Sequence, residues 1–191
     1  QGFLFDDLIT ADTFIPLVST SAVDFADVSF LAGFINLSTN LFPAANYGLV
    51  LSDHGGGLDD GVIFTDSLDD GANKFEEHGI TVYMLESALA STDLYKDKSV
   101  SGDGKLGMIY YNACLMGSTG QADNTKDYFR YMIASEECSS GHTSYRHLLT
   151  GLNTDIAEGR SDREIAINIA KVYEKYPATH HGFDEYIGSI E

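Results

Sequence analysis

Basic residues are scarce. Eleven Lys and Arg stand against 29 Asp and Glu, giving a formal net charge of −18 at pH 7. Nucleic acids and anionic membrane surfaces are gripped by basic patches, so this balance argues against both as partners. It weakly favours neutral or basic substrates through a long-range attraction that salt screens. No apolar run reaches the roughly 20 residues that span a bilayer, and no membrane insertion is expected. There are two cysteines, Cys114 and Cys138. They could form one disulfide, but they make no disulfide framework, and no Cys/His group has zinc-ligand spacing. Cysteine usage alone leaves the compartment open. Prolines number three, no segment is of low complexity, and nothing repeats at a fixed period. The chain begins at Gln1 with neither a methionine nor a signal-peptide pattern, which suggests a processed or trimmed form.

What is present suits one domain over residues 1–191, long enough to bury a sizeable core. Apolar residues at Val28, Leu31, Phe34, Ile35 and Leu37 fall close to helical spacing within Ala26–Phe42, and Pro43 ends that pattern. The run Tyr47–Leu51 reads as a buried strand closed by Ser52-Asp53-His54-Gly55-Gly56-Gly57. An acidic segment carrying "LDDG" twice comes next. Ile80–Ala90 reads as a helix, with Thr81 at its start. Met108–Tyr111 is a second buried strand and Tyr128–Ala134 a third, and Arg163–Tyr176 is an amphipathic helix with Ser161 as its cap. Strands alternating with helices predict right-handed crossovers and a mainly parallel sheet.

In such sheets ligands bind beyond the carboxyl ends of the strands. The three strands end, in order, at His54, at Cys114 and at Ser135-Glu136. A thiol and an imidazole at successive strand ends suit acyl transfer. Cys114 supplies the nucleophile, and His54 carries the proton to the leaving amine. The glycines beside His54 leave room for a substrate backbone. The amides of Gly55 and Cys114 are the candidate donors to the oxyanion. No third catalytic member is evident, so a dyad is the simpler expectation. Taken singly, each residue has a bland alternative: an incidental histidine, an inert buried cysteine, a flexible turn.

"NYGLVLSDHGGG", followed by "YYNACLMGS" and then "YMIASEE", resembles the clostripain family of cysteine peptidases, in the clan that also holds caspases, legumains and gingipains. The resemblance covers roughly Asp24 to Tyr176. It implies a caspase-like three-layer α/β/α sandwich, peptide-bond hydrolysis through a His54–Cys114 dyad and a thioester acyl-enzyme, and Gly55 in the oxyanion site. It further implies that Ser135, Glu136, Gly141 and Tyr145 line the substrate cleft, that the enzyme is secreted or exported to the envelope, and that it is made as a zymogen. Lys74 lies in the loop where such enzymes cut themselves. By the same comparison, parts of the family's full chain are expected to be missing at both ends.

One departure bears on specificity. The family typically carries aspartate two residues before the nucleophile, where it pairs with a P1 arginine or lysine; here the residue is Asn112. A neutral amide gives a cationic side chain no charge partner, so an uncharged P1 residue is expected, unless Glu136 or Glu137 restores the acidity. The chemistry requires no cofactor. Asp59, Asp60, Asp66, Asp69 and Asp70 cluster near His54 and could ligate calcium through hard oxygen atoms, but their spacing fits no EF-hand loop. "SGDGKLG" lacks the order of a phosphate-binding loop, and His180-His181 has no partner at metal spacing. The alternative to an enzyme is a catalytically silent relative that binds peptides in the same cleft. Oligomeric state is not legible.

Overall fold

A helix over Val28–Leu41 (α1) opens with Asp27, whose carboxylate accepts the Phe30 N–H at 2.8 Å. It ends at Leu41, with Phe42 as its cap immediately before Pro43. The computed structural model describes residues 24–67, 76–96, 105–138 and 145–175. After α1 the chain enters strand β1 (Gly48–Ser52), a single helical turn α2 (Gly57–Asp60), and an antiparallel pair β2 (Val62–Ser67) and β3 (Glu76–Ile80). Helix α3 (Val82–Ser91) starts at Thr81, whose hydroxyl accepts the Met84 N–H at 3.3 Å. A short turn α4 (Asp93–Lys96) precedes strand β4 (Leu106–Asn112). Helix α5 (Thr119–Thr125), strand β5 (Phe129–Ile133) and helices α6 (Tyr145–Ala157) and α7 (Asp162–Lys175) complete the order.

The central sheet runs β1-β4-β5 and is parallel throughout, as the alternation of strands and helices predicts. β4 lies in the middle and is buried along nearly its whole length. Side chains alternate across a strand, so the odd-numbered positions share one face. Leu49, Leu51, Ile109 and Tyr111 pack there with Leu31 and Ile35 of α1 and Leu85 and Leu89 of α3. The even-numbered positions Met108 and Tyr110 pack against Leu148 of α6 and Ile165 and Ile169 of α7. Helices therefore cover both faces, in the expected three-layer α/β/α arrangement.

Four elements went unread in the sequence, as did the single turns α2 and α4. The β2–β3 pair forms a second, two-stranded sheet from the acidic segment after His54, with a register shift where Ile63 takes a φ of 59°. α5 buries a polar face, Gln121 and Thr125, so it has no apolar periodicity to detect. α6 carries Leu148, Leu149, Leu152 and Ile156 at helical spacing and packs Leu148 and Leu152 into the core, an apolar stripe that was overlooked. Tyr110 and Tyr111 are core residues as expected, and Gln121 donates to the Tyr111 hydroxyl at 2.8 Å. Both cysteines are thiols, so the disulfide that the sequence allows is not formed, and Cys138 is exposed.

Candidate active site

The parallel register sets Ser52 of β1 level with Asn112 of β4. Two residues further, at the same end of the two strands, come His54 and Cys114. The loops that follow touch. A β-carbon on Gly55 would lie 2.1 Å from the Cys114 carbonyl oxygen and 3.0 Å from its nitrogen, so only glycine allows the two main chains this close. The histidine loop is fastened on both sides of His54. The Asp53 carboxylate accepts the Phe64 N–H at 2.9 Å, and Gly55 forms a β-bridge with Val62. His54 is exposed and Cys114 half-buried, so both candidates are open to solvent rather than sealed in the core.

After Cys114 the chain turns through Leu115 with a φ of 59°. That left-handed conformation costs an ordinary side chain about 1–2 kcal/mol, and the contacts around it hold the turn in place. The Leu115 N–H donates to the Glu137 carbonyl at 3.1 Å, and the Gly117 N–H to the Ser135 carbonyl at 2.8 Å. The segment beyond β5 thus runs alongside the segment carrying Cys114. Ser135 is half-buried, and its hydroxyl donates to the Glu137 carbonyl and accepts the Glu137 N–H. Glu136 and Glu137 are exposed at this edge.

Asn112 is 3% exposed, which makes its hydrogen bonds obligatory. Its amide nitrogen donates to the Ser52 hydroxyl at 2.9 Å and to the Tyr145 hydroxyl at 3.4 Å, while its oxygen accepts from Tyr110 at 3.4 Å. The side chain two residues before Cys114 therefore joins β1, β4 and the first residue of α6 under the same end of the sheet.

The model of the clostripain family (Peptidase_C11) matches residues 10–187. The chain belongs to the clostripain family. Among solved structures it is similar to a secreted C11 cysteine protease from Bacteroides thetaiotaomicron in complex with an irreversible peptide inhibitor. Identity there is 22%, the TM-score is 0.57, and the match covers 85% of this chain and 42% of that one. That likeness establishes a shared fold, and this chain spans less than half the length of that relative. A second structure of a secreted C11 cysteine protease from the same organism, "iotapain", matches at 16% identity and a TM-score of 0.43, over 61% of this chain and 32% of that one. No curated protein sequence matches the chain significantly.

Within this clostripain-family chain, the residues singled out in the sequence separate into two groups. His54, Gly55, Asn112, Cys114, Ser135, Glu136 and Tyr145 all lie at or around the carboxyl ends of β1, β4 and β5. Lys74, Asp69, Asp70, Gly141 and His180-His181 lie outside the described residues, as does the side chain of Asp66. Asp59 and Asp60 are exposed on α2, and among the described residues no three His, Cys, Asp or Glu side chains gather at metal-ligating distance. Nor is any described helix long and apolar enough to cross a membrane. Two residues escaped the sequence reading: Asp53, which ties the histidine loop to β2, and Ser52, beneath Asn112. Glu137, expected only as an acid near the P1 site, also holds the turn after Cys114 through its carbonyl. Ser52 was detectable, because matching the two strand ends residue for residue places it opposite Asn112.

Proposed function

We propose that this chain is a cysteine endopeptidase in which Cys114 is the nucleophile and His54 the proton carrier. The observation that carries the reading is the approach of Gly55 to the Cys114 backbone, which brings the two loops together at one end of the sheet. The Cys114 sulfur attacks the scissile carbonyl, and the developing oxyanion is met by the amides of Gly55 and Cys114. The C–N bond breaks as His54 delivers a proton to the leaving amine, which leaves a thioester on Cys114. Water, with its proton taken by His54, then releases the acid and regenerates the thiol. Export beyond the cytoplasmic membrane belongs to the same reading, supported by the secreted fold relative.

The P1 residue is uncharged on this reading. Asn112 is buried and already bonded to Ser52, Tyr145 and Tyr110, so it supplies dipoles rather than a counter-charge. Asn112→Asp places a carboxylate where all three hydroxyls can donate to it, and should turn the preference towards Arg or Lys.

The test is covalent labelling with peptidyl acyloxymethyl ketones that differ at P1, on wild type and on Cys114→Ala, His54→Ala and Asn112→Asp. Loss of labelling in Cys114→Ala, a large loss in His54→Ala, and a gain for P1 Arg probes in Asn112→Asp are the expected results. A wild type that no probe in the series labels would favour a silent peptide binder instead. A strong P1 Arg/Lys preference that Glu136→Gln abolishes would overturn the assignment of specificity to Asn112.

A further inference from the structure

The segment after β4 and the segment after β5 pair antiparallel. The Leu115 N–H donates to the Glu137 carbonyl at 3.1 Å, and the Gly117 N–H, two residues on, donates to the Ser135 carbonyl, two residues back, at 2.8 Å. A side chain at Gly117 would run into the Ser135–Glu136 peptide, its β-carbon 2.7 Å from the Glu136 nitrogen, so the approach of these two segments is close. Cys114 directly precedes Leu115, and Cys138 directly follows Glu137. The bond from the Leu115 N–H to the Glu137 carbonyl, taken with trans-peptide dimensions, keeps the α-carbons of Cys114 and Cys138 within about 7 Å. Disulfides form across that range. These are the chain's only two cysteines, and Cys138 is exposed while Cys114 is half-buried.

We infer that Cys114 and Cys138 are a reversible disulfide site, closed by a hydroperoxide and opened by thiols. The oxidation balances in two steps. A Cys114 thiolate attacks the peroxide; its O–O bond breaks, water or an alcohol leaves, and a sulfenic acid remains on Cys114. The Cys138 sulfur then attacks that sulfur, the S–O bond breaks, the S–S bond forms and water leaves. Two thiols have lost two protons and two electrons, and the peroxide has been reduced. A small thiol reverses the bond by two exchange steps. The consequence for activity rests on the peptidase reading: with its sulfur in the disulfide, Cys114 cannot attack a carbonyl. Cys138 acts as the resolving thiol and protects Cys114 from oxidation beyond the sulfenic stage.

The experiment treats the folded chain with hydrogen peroxide, blocks remaining thiols, digests with trypsin without reduction, and reads the peptides by mass. Lys126 and Arg130 lie between the cysteines, so trypsin places them in separate peptides. A linked pair of those peptides from the monomer, abolished by dithiothreitol, is the expected result. Labelling of Cys114 by a peptidyl inhibitor should fall at least about tenfold with peroxide and recover with dithiothreitol. In Cys138→Ser the loss should not recover, because Cys114 proceeds to sulfinic acid. Sulfinic acid on wild-type Cys114 with no cross-link, or a cross-link found only between molecules, overturns the inference. A cross-link within a protein that no inhibitor labels upholds the disulfide site and removes the peptidase reading instead.

Discussion

Gly55 lacks the one carbon that would collide with the Cys114 carbonyl oxygen, and this absence sets how closely the histidine and cysteine loops approach. Gly55→Ala must push the loops apart, since a 2.1 Å contact with a backbone oxygen cannot be relieved by a rotamer change. A shift of about 1 Å at a reacting centre costs on the order of a hundredfold in rate. Covalent labelling of Cys114 should slow by that much while the far-ultraviolet circular dichroism stays native; labelling at the wild-type rate would show that this approach does not matter to the chemistry. His54 and Cys114 were legible because each stands three residues past the end of an apolar run, at Leu51 and Tyr111, and a strand's end is where its side chains can leave the core. The roles of Asp53 and Glu137 were not. Asp53 reaches Phe64, and Glu137 reaches Leu115 across the sheet, so nothing local in the sequence announces either bond.

Among the elements, those with an apolar stripe or an oxygen-bearing cap could be read in advance. α7 begins with a reciprocal pair: the Ser161 hydroxyl accepts the Glu164 N–H at 3.4 Å, while the Glu164 carboxylate accepts the Ser161 N–H at 2.9 Å and its hydroxyl at 2.7 Å. The Ser161 hydroxyl, then its N–H, hold the Glu164 carboxyl below its ordinary value of 4.5. A carboxyl lowered on folding stabilises the native state above its unfolded value, and that contribution fades as pH falls through the lower folded value. Ser161→Ala should therefore lower the urea midpoint at pH 7, with the gap to wild type narrowing under acid; a gap that widens under acid would contradict the sign. In α1, an added β-carbon at Gly33 meets nothing within 4 Å. Gly33→Ala should stabilise the protein by about 1 kcal/mol in urea denaturation. β2, β3 and α5 gave no hydrophobic periodicity to read: their patterns are acidic, interrupted by a bulge, or buried through polar residues such as Gln121 and Thr125. α6 does carry an apolar stripe, Leu148, Leu149, Leu152 and Ile156, that was overlooked.

Over the whole molecule, the charge of −18 surrounds a site whose exposed edge carries Glu136 and Glu137. A field of that sign concentrates cationic peptides near the strand ends at low ionic strength. Labelling by a peptide probe with lysines outside P1 should slow several-fold between about 20 mM and 500 mM salt, whereas a neutral probe of the same length should change little. Equal salt slopes for the two probes would show that the surface charge does not steer substrate. The sequence by itself determined the parallel sheet, its helical cover, and the thiol and imidazole at strand ends, because periodicity and strand termination are local properties of the chain. Only the tertiary structure decided that β1 and β4 are neighbours, that Gly55 rests on Cys114, that Asn112 is tied to Ser52, Tyr110 and Tyr145, and that the Glu137 carbonyl meets the Leu115 N–H. Each of those facts joins residues separated along the chain. Such contacts are fixed by how layers pack and strands register, which no short stretch of sequence encodes.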